Sequence, residues 1–303
     1  MEMGGIMATI TVQEVAPDVY AVHNRWVEGK SGIVLGRRHT LLIDANGYPD
    51  ETQAALDWLR ERGRQPSLVV LTHGHGDHIL GGAPLLALEP APVVVAHCHT
   101  PQVIERQLAG WAEREGASVD DVRARTLWPT VTVGGEGAPG TTLWLGNKTV
   151  RLLPTPGHSE DSMCAYIEED RLLFGGDTVV TGIVPAIGDG DSRQLEDSLR
   201  RLSGLDIDVL VPGHGPVMRG VNTVRAWMLG WADYLLRVRK AVEKEVRSPT
   251  AMGLAEETIV DEIPFERFVG DLLPLEKHDM DRRHRATVYK IVIELLTGHD
   301  VGA

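Results

Sequence analysis

The strongest signal in this sequence is the stretch SLVVLTHGHGDH, residues 67–78. An apolar run that is typical of a buried strand leads directly into three histidines and an aspartate. The two glycines between them let the backbone turn tightly, so that the imidazoles and the carboxylate can converge on one point. The stretch therefore predicts a metal-binding loop at the end of a strand. Its candidate ligands are His73, His75, Asp77 and His78.

Three later stretches repeat the arrangement of an apolar strand followed by a glycine and a ligand-capable side chain. They are LLPTPGH at residues 152–158, LLFGGD at 172–177 and VLVPGH at 209–214. One such side chain alone would usually be an ordinary loop residue. Three of them, together with residues 73–78, indicate neighbouring strands that end at one sheet edge. The additional candidate ligands are His158, Asp177 and His214.

The number of candidate ligands exceeds what one tetrahedral metal site takes. Five histidines and two aspartates suit two metals. One would take three neutral imidazoles, and the other two imidazoles, a carboxylate and a share in a bridging carboxylate. All the donors are nitrogen or oxygen, which suits Zn, Fe or Mn. The sequence therefore predicts two divalent metal ions, with Zn as the first expectation.

Composition limits the class of protein. The chain has 303 residues, is 43% hydrophobic and carries a net charge of −13, so it can bury a large core and repels nucleic acid. Its two cysteines, Cys98 and Cys164, form no CxxC pair and favour a reducing compartment. No apolar run reaches the roughly 18 residues of a membrane span. We expect a soluble cytoplasmic protein with a small-molecule substrate and no nucleic-acid or membrane partner. Met7 is an equally good start, which would make residues 1–6 an extension.

Hydrophobic periodicity predicts a chain that opens as β-structure and closes as helices. Residues 9–23 and 32–44 alternate as half-buried antiparallel strands do, and residues 141–175 have the pattern of β-hairpins. Two helices are expected to begin after N-caps at Asp50 and Thr100. Others are expected from His78 through Leu88, over about residues 193–204 and over much of the chain after residue 220.

With these motifs in place, the chain resembles the metallo-β-lactamase superfamily, in its broad glyoxalase II-like branch. Residues 73–78 match the HxHxDH signature, and TPGHS, FGGD and PGHG match the motifs that supply the later ligands. The resemblance covers about residues 7–220. It implies an α+β fold, an αββα four-layer sandwich over residues 1–220 with the metals at one edge. A C-terminal α-helical extension, residues 221–303, would cover the active site or form a homodimer contact.

The resemblance also assigns roles to the candidate ligands. One metal would bind His73, His75 and His158, the other would bind Asp77, His78 and His214, and Asp177 would bridge them. Asp77 and Asp177 are thereby the expected catalytic residues. Asp44, at the end of TLLID, would support the loop that carries the first ligands.

The expected reaction is hydrolysis. In the hypothesised mechanism, one metal polarises a carbonyl and a metal-bridging hydroxide attacks its carbon. A thiolate or an alkoxide leaves with little acid help, so thioesters, lactones and other small esters are favoured over amides. Zinc β-lactamases have cysteine or serine where this chain has Asp177, which argues against drug hydrolysis.

Three alternatives stay open at this point. A mononuclear iron sulfur dioxygenase would use only His73, His158 and Asp177 as ligands. A phosphodiesterase is chemically possible with two metals, although the acidic charge disfavours it. A non-catalytic metal-containing signalling protein would bind a ligand or partner through the helical tail, and the full set of ligands argues against it.

Other features are interpreted as structural or as shaping the substrate site. Residues 97–99, AHCHT in context, are expected to serve packing and capping. The aromatic and apolar stripe of residues 227–235 is either core or a cover for the active-site mouth. Residues 179–192 are expected to shape specificity, and residues 276–285 to form a solvated charged face. The remaining histidines are interpreted as solvent or interface residues: His23, His39, His278, His284 and His299.

Overall fold

A computed structural model describes residues 10–135, 140–247, 256–268 and 277–297 of the chain. The expected extension of residues 1–6 lies outside these ranges, as do His299 and the side chain of His278. Within the described ranges, the chain forms two β-sheets that pack face to face, with helices on both outer faces.

The first half of the chain forms the first sheet. Its strands follow the chain order from one edge to the other, antiparallel up to the fourth strand and parallel from the fourth to the seventh. The strands are β1 (Thr11–Ala16), β2 (Val19–His23), β3 (Lys30–Leu35), β4 (Thr40–Ile43), β5 (Leu68–Val70), β6 (Val93–His97) and β7 (Val131–Val133). The helices are α1 (Pro49–Arg60), α2 (Gly76–Ile79), α3 (Ala83–Leu86), α4 (Thr100–Glu115) and α5 (Val119–Arg125).

The second half forms the second sheet and the C-terminal helices. The strands are β8 (Thr141–Trp144), β9 (Thr149–Pro154), β10 (Met163–Ile167), β11 (Leu172–Phe174), β12 (Val209–Val211) and β13 (Met218–Arg219), in spatial order β13-β12-β11-β10-β9-β8. Among the described strands of this second sheet, only β11 and β12 pair in parallel. The helices are α6 (Ser192–Ser203), α7 (Val221–Val246), α8 (Glu256–Asp261) and α9 (Lys277–Leu296).

Alternating side chains divide the interior into three apolar layers. In β4, Ile43 belongs to the layer between the sheets, whereas its neighbour Leu42 packs outward against the layer under α1 and α4. In β11, Phe174 lies between the sheets and Leu173 faces the layer formed by α6 and the C-terminal helices. Three apolar layers between four structural layers confirm the expected αββα sandwich with its helical extension. The boundary between residues 220 and 221 stays a prediction.

The two sheets approach closely where a glycine leaves room for an aromatic ring. A Cβ atom on Gly32 of β3 would lie 2.4 Å from the ring of Phe174. Phe174 is 3% exposed, and burying a side chain of this size stabilises the fold by about 1.5–3 kcal/mol. The phenyl ring thus joins β3 of the first sheet to β11 of the second.

The strands that carry the predicted ligands end at the same side of the sandwich. β4 and β5 run parallel in the first sheet, and β11 and β12 run parallel in the second. The segments after β11 and β12 therefore leave the second sheet at one edge, and the side chains that they carry meet those of the loop after β5. This edge is where the functional side chains gather.

Two helix starts differ from the sequence prediction. The N-cap of α1 is Tyr48, and Asp50 lies inside the first turn, where it pairs with Arg25 at 2.9 Å. Pro49 has a fixed backbone angle that suits the first helical position, so the helix begins two residues earlier than a cap at Asp50 would place it. The N-cap of α4 is His99, and Thr100 is already helical. The N–H of His99 donates to Nδ1 of His97 at 3.3 Å, so the imidazole of His97 is the hydrogen-bond acceptor in the turn before the helix.

Two further expectations about the first half are wrong. The helix predicted from His78 through Leu88 is broken into α2, a 3₁₀ turn over residues 80–82, and α3. The break allows Gly81 to press against the loop after β4, where a Cβ atom would lie 2.3 Å from the carbonyl oxygen of Ala45. Strands β3 and β4 are fully buried, although their pattern predicts half-buried strands, because they are covered by helices on one face and by the second sheet on the other.

The C-terminal helices pack on the outer face of the second sheet. α7 packs along α6, and α9 packs on α7 and α8. From the predicted aromatic and apolar stripe, Met228, Trp231, Tyr234 and Leu235 are buried in this layer, while Trp227 donates from its indole nitrogen to the carbonyl of Val180 at 2.9 Å. In the described part of the chain, no helix combines the length and hydropathy that a bilayer crossing requires.

Candidate metal centre

The structure brings all seven predicted ligands together at the shared edge of the two sheets. The first sheet supplies the loop after β5 and helix α2, and the second sheet supplies the segments after β9, β11 and β12. Their metal-capable atoms form two groups, each with its atoms within 4.8 Å of one another. We call them the three-imidazole group (His73, His75 and His158) and the carboxylate group (Asp77, His78, Asp177 and His214).

The three-imidazole group has the spacing of a tetrahedral metal site. Nδ1 of His75 lies 3.1 Å from Nε2 of His73 and 2.9 Å from Nε2 of His158. Metal–nitrogen bonds of about 2.0–2.1 Å in tetrahedral geometry place ligand nitrogens about 3.3 Å apart. The three imidazoles are therefore close to the arrangement that a zinc-sized cation requires.

The carboxylate group is equally compact, and one of its members reaches the other group. Nε2 of His214 lies 3.1 Å from Oδ2 of Asp77 and 3.3 Å from Oδ2 of Asp177. The same Oδ2 of Asp177 lies 3.6 Å from Nε2 of His158 in the three-imidazole group. Asp177 thus stands between the two groups, where a shared ligand would have to stand.

Two buried atoms at the centre lack hydrogen-bond partners among the described residues. They are Nε2 of His78 and Oδ1 of Asp177, which lie 3.2 Å apart without the alignment of a hydrogen bond. A buried polar atom without a partner costs about 1–3 kcal/mol. A cation between them would satisfy both atoms, so this donor set fits the metals that the sequence predicts.

The outer nitrogen of every imidazole is held by an acceptor, which decides the nitrogen that faces the centre. A carbonyl or carboxylate oxygen only accepts, so the ring nitrogen beside it carries the proton and the other nitrogen is free to bind a metal. The outer bonds join His73 Nδ1 to Thr72 Oγ1 (3.1 Å), His75 Nε2 to Asp189 Oδ2 (2.9 Å), His78 Nδ1 to Asp44 Oδ2 (2.8 Å), His158 Nδ1 to the carbonyl of Ala186 (2.8 Å) and His214 Nδ1 to the carbonyl of Val27 (2.9 Å).

Asp44 is the buried anchor of the loop after β5. Its Oδ1 accepts the backbone N–H of Thr72 at 2.7 Å, and its Oδ2 accepts the Thr72 hydroxyl and Nδ1 of His78, both at 2.8 Å. Because the Thr72 hydroxyl gives its proton to Asp44, its oxygen is left to accept from His73. One carboxylate therefore orients ligands in both groups.

The two groups differ in charge. Burial lowers the pKa of His158 and brings the pKa of His73 well below its usual value, so these imidazoles are neutral as a metal requires. Burial alone would do the same to His78, but the charges of Asp77, Asp44 and Asp177 raise its pKa well above the usual value. The imidazoles of His73 and His158 are therefore neutral, whereas the imidazole of His78 lies in the negative field of three carboxylates.

The pKa values of His214 and the two aspartates reflect the same electrostatic interactions. Burial opposes the charge of His214, yet Asp177 and Asp77 raise its pKa to about 10. Burial likewise opposes the ionisation of Asp77, and the neighbouring His78 and His214 lower its pKa to about 2. The pKa of Asp177 lies well below its usual value because the same two imidazoles outweigh its burial. Both carboxylates are ionised, so they can neutralise a divalent cation.

A cavity of about 270 Å³ opens onto both groups. Its apolar lining residues are Trp26, Val27, Val180 and Ile183. Residues 186, 188 and 189 also line it, so the segment 179–192, which is expected to shape specificity, borders the cavity. Arg283 of α9 also lines the cavity.

The position of α9 corrects two expectations about the tail. Residues 276–285 are not simply a solvated charged face, because Arg283 borders the cavity and His284 is fully buried. His284 accepts the Tyr234 hydroxyl at Nδ1 (2.8 Å) and donates from Nε2 to the carbonyl of Ile263 (2.7 Å). Val288 and Ile291 follow His284 at helical spacing and are also buried, a pattern that would have identified the inner face of α9.

No local sequence pattern identifies the residues that hold the ligands from a distance. Asp189 lies within a predicted specificity segment, but nothing local links it to His75. Val27 supports His214 through its carbonyl, for which no side-chain pattern exists. His97 and His99, in contrast, form no metal-capable group in the described ranges, and His97 is buried and accepts a backbone N–H.

Comparisons with known proteins agree with this geometry. Residues 24–214 match the family described as the metallo-beta-lactamase superfamily. Curated relatives include an atrochrysone carboxyl ACP thioesterase of Passalora fulva, 31% identical over 199 residues (64% of this chain, 50% of that protein). A hydroxyacylglutathione hydrolase of Francisella tularensis subsp. novicida is 28% identical over 179 residues (58% of each chain). The chain spans about half the length of such curated relatives.

Solved structures share the fold at low sequence identity. A metallo-beta-lactamase from Pontibacter korlensis aligns with a TM-score of 0.56 and 22% identity, over 74% of this chain and 99% of that one. A variant of the sec-alkyl sulfatase PisA1 aligns with a TM-score of 0.67 and 20% identity, over 97% of this chain and 51% of that one. The predicted resemblance is confirmed, and this chain belongs to the metallo-beta-lactamase superfamily.

Proposed function

We propose that this chain is a dinuclear metal-dependent hydrolase of a small thioester, ester or lactone. The observation that carries the proposal is the position of Asp177, whose Oδ2 lies between the imidazoles of two complete donor groups at the floor of one cavity. The three-imidazole group would hold one metal, the carboxylate group would hold the other, and Asp177 would contact both.

The donor set favours two divalent ions, and we propose Zn²⁺ for both. Nitrogen and oxygen donors also suit Fe and Mn, so the metal has to be measured. When bound, the pair would supply a water that is deprotonated near neutral pH and a Lewis acid for the substrate carbonyl. Both cysteines are free thiols, which supports a reducing compartment such as the cytoplasm as the place of action.

The side chains around the cavity limit the chemistry. The cavity-lining residues in the described ranges include no serine, threonine, cysteine, tyrosine or lysine. Among the described lining residues, no hydroxyl, thiol or amine is available to form a covalent intermediate or to protonate an amine leaving group. This favours thioesters and esters, whose thiolate or alkoxide leaves without such help, over amides.

The walls of the cavity indicate how a substrate would lie. Trp26, Val27, Val180 and Ile183 offer an apolar surface for an acyl chain. Arg283, on the α9 side, offers a guanidinium to an anionic group such as a carboxylate or phosphate. Thioesters come first among the candidate substrates because some curated relatives are named thioesterases and another is named a hydroxyacylglutathione hydrolase.

Elemental analysis and substrate assays test the proposal together. Protein purified without added metal or chelator should contain about two equivalents of divalent metal per chain and should hydrolyse acyl thioesters faster than the matching amides. Chelation should abolish turnover, and Zn²⁺ should restore it. Iron at about one equivalent, with persulfide oxidation and no hydrolysis, would replace the proposal by the sulfur dioxygenase alternative. Metal binding without turnover of thioesters, esters or phosphodiesters would instead favour a binding protein.

A further inference from the structure

One short segment holds two of the three imidazoles in the three-imidazole group. Within residues 184–191, which we call the support loop, the carbonyl of Ala186 accepts Nδ1 of His158 at 2.8 Å. Three residues later, Oδ2 of Asp189 accepts Nε2 of His75 at 2.9 Å. Among the described residues, no hydrogen bond joins the carboxylate group to this loop, and its imidazoles are held by Asp44 and by the carbonyl of Val27.

The support loop lies directly against the segment that carries His158. The N–H of Asp191 donates to the carbonyl of Gly157 at 3.0 Å, and Asp189 forms a β-bridge with Ser159. A Cβ atom on Gly190 would lie 2.0 Å from the carbonyl oxygen of Gly157, so only glycine permits this approach. The position of the loop is therefore transmitted to His158 through the backbone as well as through Ala186.

Helix α9 contacts the support loop at both of its ends. The Thr287 hydroxyl donates to the carbonyl of Pro185 at 3.2 Å. Beyond the other end, the N–H and the hydroxyl of Ser192 donate to the carboxylate of Glu294 at 3.2 and 2.7 Å. Between them, Val184 and Ile187 of the loop belong to the same buried apolar cluster as Val288 and Ile291 of α9.

We propose that Asp189 and helix α9 are positioning elements that set the metal affinity of the three-imidazole group alone. Asp189 orients His75 so that Nδ1 faces the centre, and α9 fixes the loop that carries Asp189 and the carbonyl of Ala186. The inference rests on the metal centre of the proposed function. It assigns to the C-terminal extension a role in metal loading that is separate from any contact with substrate.

The test compares metal binding by Asp189→Ala, Asp189→Asn and the unsubstituted protein. Asp189 is 63% exposed at its side chain, so neither change removes buried packing. Loss of an outer-sphere hydrogen bond to a metal-bound histidine typically weakens metal affinity by about 10–100-fold. We expect that loss for one of the two Zn²⁺ ions in Asp189→Ala, measured by competition with a chromophoric chelator, and a smaller loss in Asp189→Asn, which keeps an acceptor oxygen. Asp197→Ala, an exposed aspartate on α6, is the matched control and should bind both ions as before.

Nitrogen NMR of labelled histidine identifies the affected group. Among the five candidate imidazoles, only His75 presents Nδ1 to the centre, whereas the other four present Nε2. The Nδ1 resonance that shifts on metal binding therefore reports on the three-imidazole group. It should require a higher Zn²⁺ concentration in Asp189→Ala, while the Nε2 signals of His78 and His214 should respond as in the unsubstituted protein.

The contribution of α9 is tested by Thr287→Val and Glu294→Gln. Each change removes or weakens one hydrogen bond to the ends of the loop, and we expect the affinity for the same ion to fall by about threefold to tenfold. Equal weakening of both ions, or no weakening of either, would overturn the inference. Failure of the unsubstituted protein to bind metal would overturn it together with the proposed function. Selective weakening in a protein that hydrolyses no substrate would leave the inference standing and remove only the hydrolase.

Discussion

The two ligand groups share one cavity but are built in different ways. The carboxylate group contains two ionised aspartates, and its imidazoles are held by groups from the first half of the chain, Asp44 and the carbonyl of Val27. In the three-imidazole group, His75 and His158 depend on an exposed carboxylate and a carbonyl in the support loop of the second half, whereas His73 is held by Thr72. The two metals of the proposed centre should therefore respond to different substitutions, except at Asp177, which lies between the groups, and at Asp44, which orients ligands in both.

The largest effect should come from removing the one carboxylate between the groups. Asp177→Ala takes away a ligand of the carboxylate group and the contact with His158, so the metal content should fall from about two ions towards one and the turnover by on the order of a hundredfold or more. Elemental analysis and a thioester assay measure both quantities, with Asp197→Ala as the control. Two retained metals with normal turnover would show that Asp177 does not bridge.

Removing the buried anchor should affect the carboxylate group most. In Asp44→Asn, an amide NH₂ group replaces one of the two acceptor oxygens that face the donors of Thr72 and His78. Buried hydrogen bonds are then left unmade, so the free energy of unfolding should fall by about 1–3 kcal/mol. The affinity for one metal should fall by about 10–100-fold. Urea unfolding and chelator competition measure the two losses. If the ion lost first were the one reported by Nδ1 of His75, the assignment of Asp44 to the carboxylate group would be wrong.

Arg283 tests whether the second half of the chain also contributes to substrate binding. Arg283→Gln should raise the KM for a carboxylate-bearing thioester by about 10-fold, since a charge-assisted hydrogen bond contributes about 1.5–3 kcal/mol in favourable cases. A neutral thioester of the same acyl chain should be unaffected. Arg282→Gln removes the same charge from an exposed position of α9 and serves as the control. Equal effects of the two variants would indicate only a general loss of positive charge.

Mild acid should loosen α9, and with it the three-imidazole group. Burial lowers the pKa of His284 below its usual value of 6.5, so the folded state favours the neutral ring. Below that value the unfolded state binds more protons than the folded state, so the stabilisation from His284 is present above pH 6.5 and decreases as the pH falls. The difference in unfolding free energy between the unsubstituted protein and His284→Gln should therefore shrink between pH 7.5 and 5.5. A constant difference in urea unfolding would contradict this.

The smallest effect is expected from Val27→Gly, which probes the support of the carboxylate group. Val27 has a positive φ of 50° and a side chain that is 48% exposed. Glycine relieves about 1–2 kcal/mol of left-handed strain but loses about 0.5–1 kcal/mol through the flexibility of the unfolded chain. The carbonyl that accepts from His214 is unchanged, so the unfolding free energy should change by less than about 1 kcal/mol and both metals should bind normally. A lost metal in a titration would show that the Val27 side chain matters.

Local patterns in the sequence identify the elements of the centre but not their connections. The fold, the superfamily and the two sets of strand ends follow from short motifs, because a glycine-flanked ligand after an apolar strand is a local feature. The supports of the ligands do not follow. His75 and Asp189 are 114 residues apart, and His214 and Val27 are 187 residues apart, so neither pair has a local signal.

The helix boundaries and the tail illustrate the same division. The polar residues Asp50 and Thr100 predict N-caps that α1 and α4 do not use, because Pro49 and the imidazole of His97 act on the chain before each of them. The sequence does not reveal that His284 is buried, because its partners, Tyr234 and the carbonyl of Ile263, come from other segments.

Ligand type, glycine spacing and strand ends are local features of the sequence, and they identify the side chains that can bind metal. Which nitrogen of each imidazole faces the centre, how the charges are distributed and which half of the chain supports each ligand are properties of the folded structure. Those properties depend on hydrogen bonds and fields between segments that meet only when the two sheets pack together.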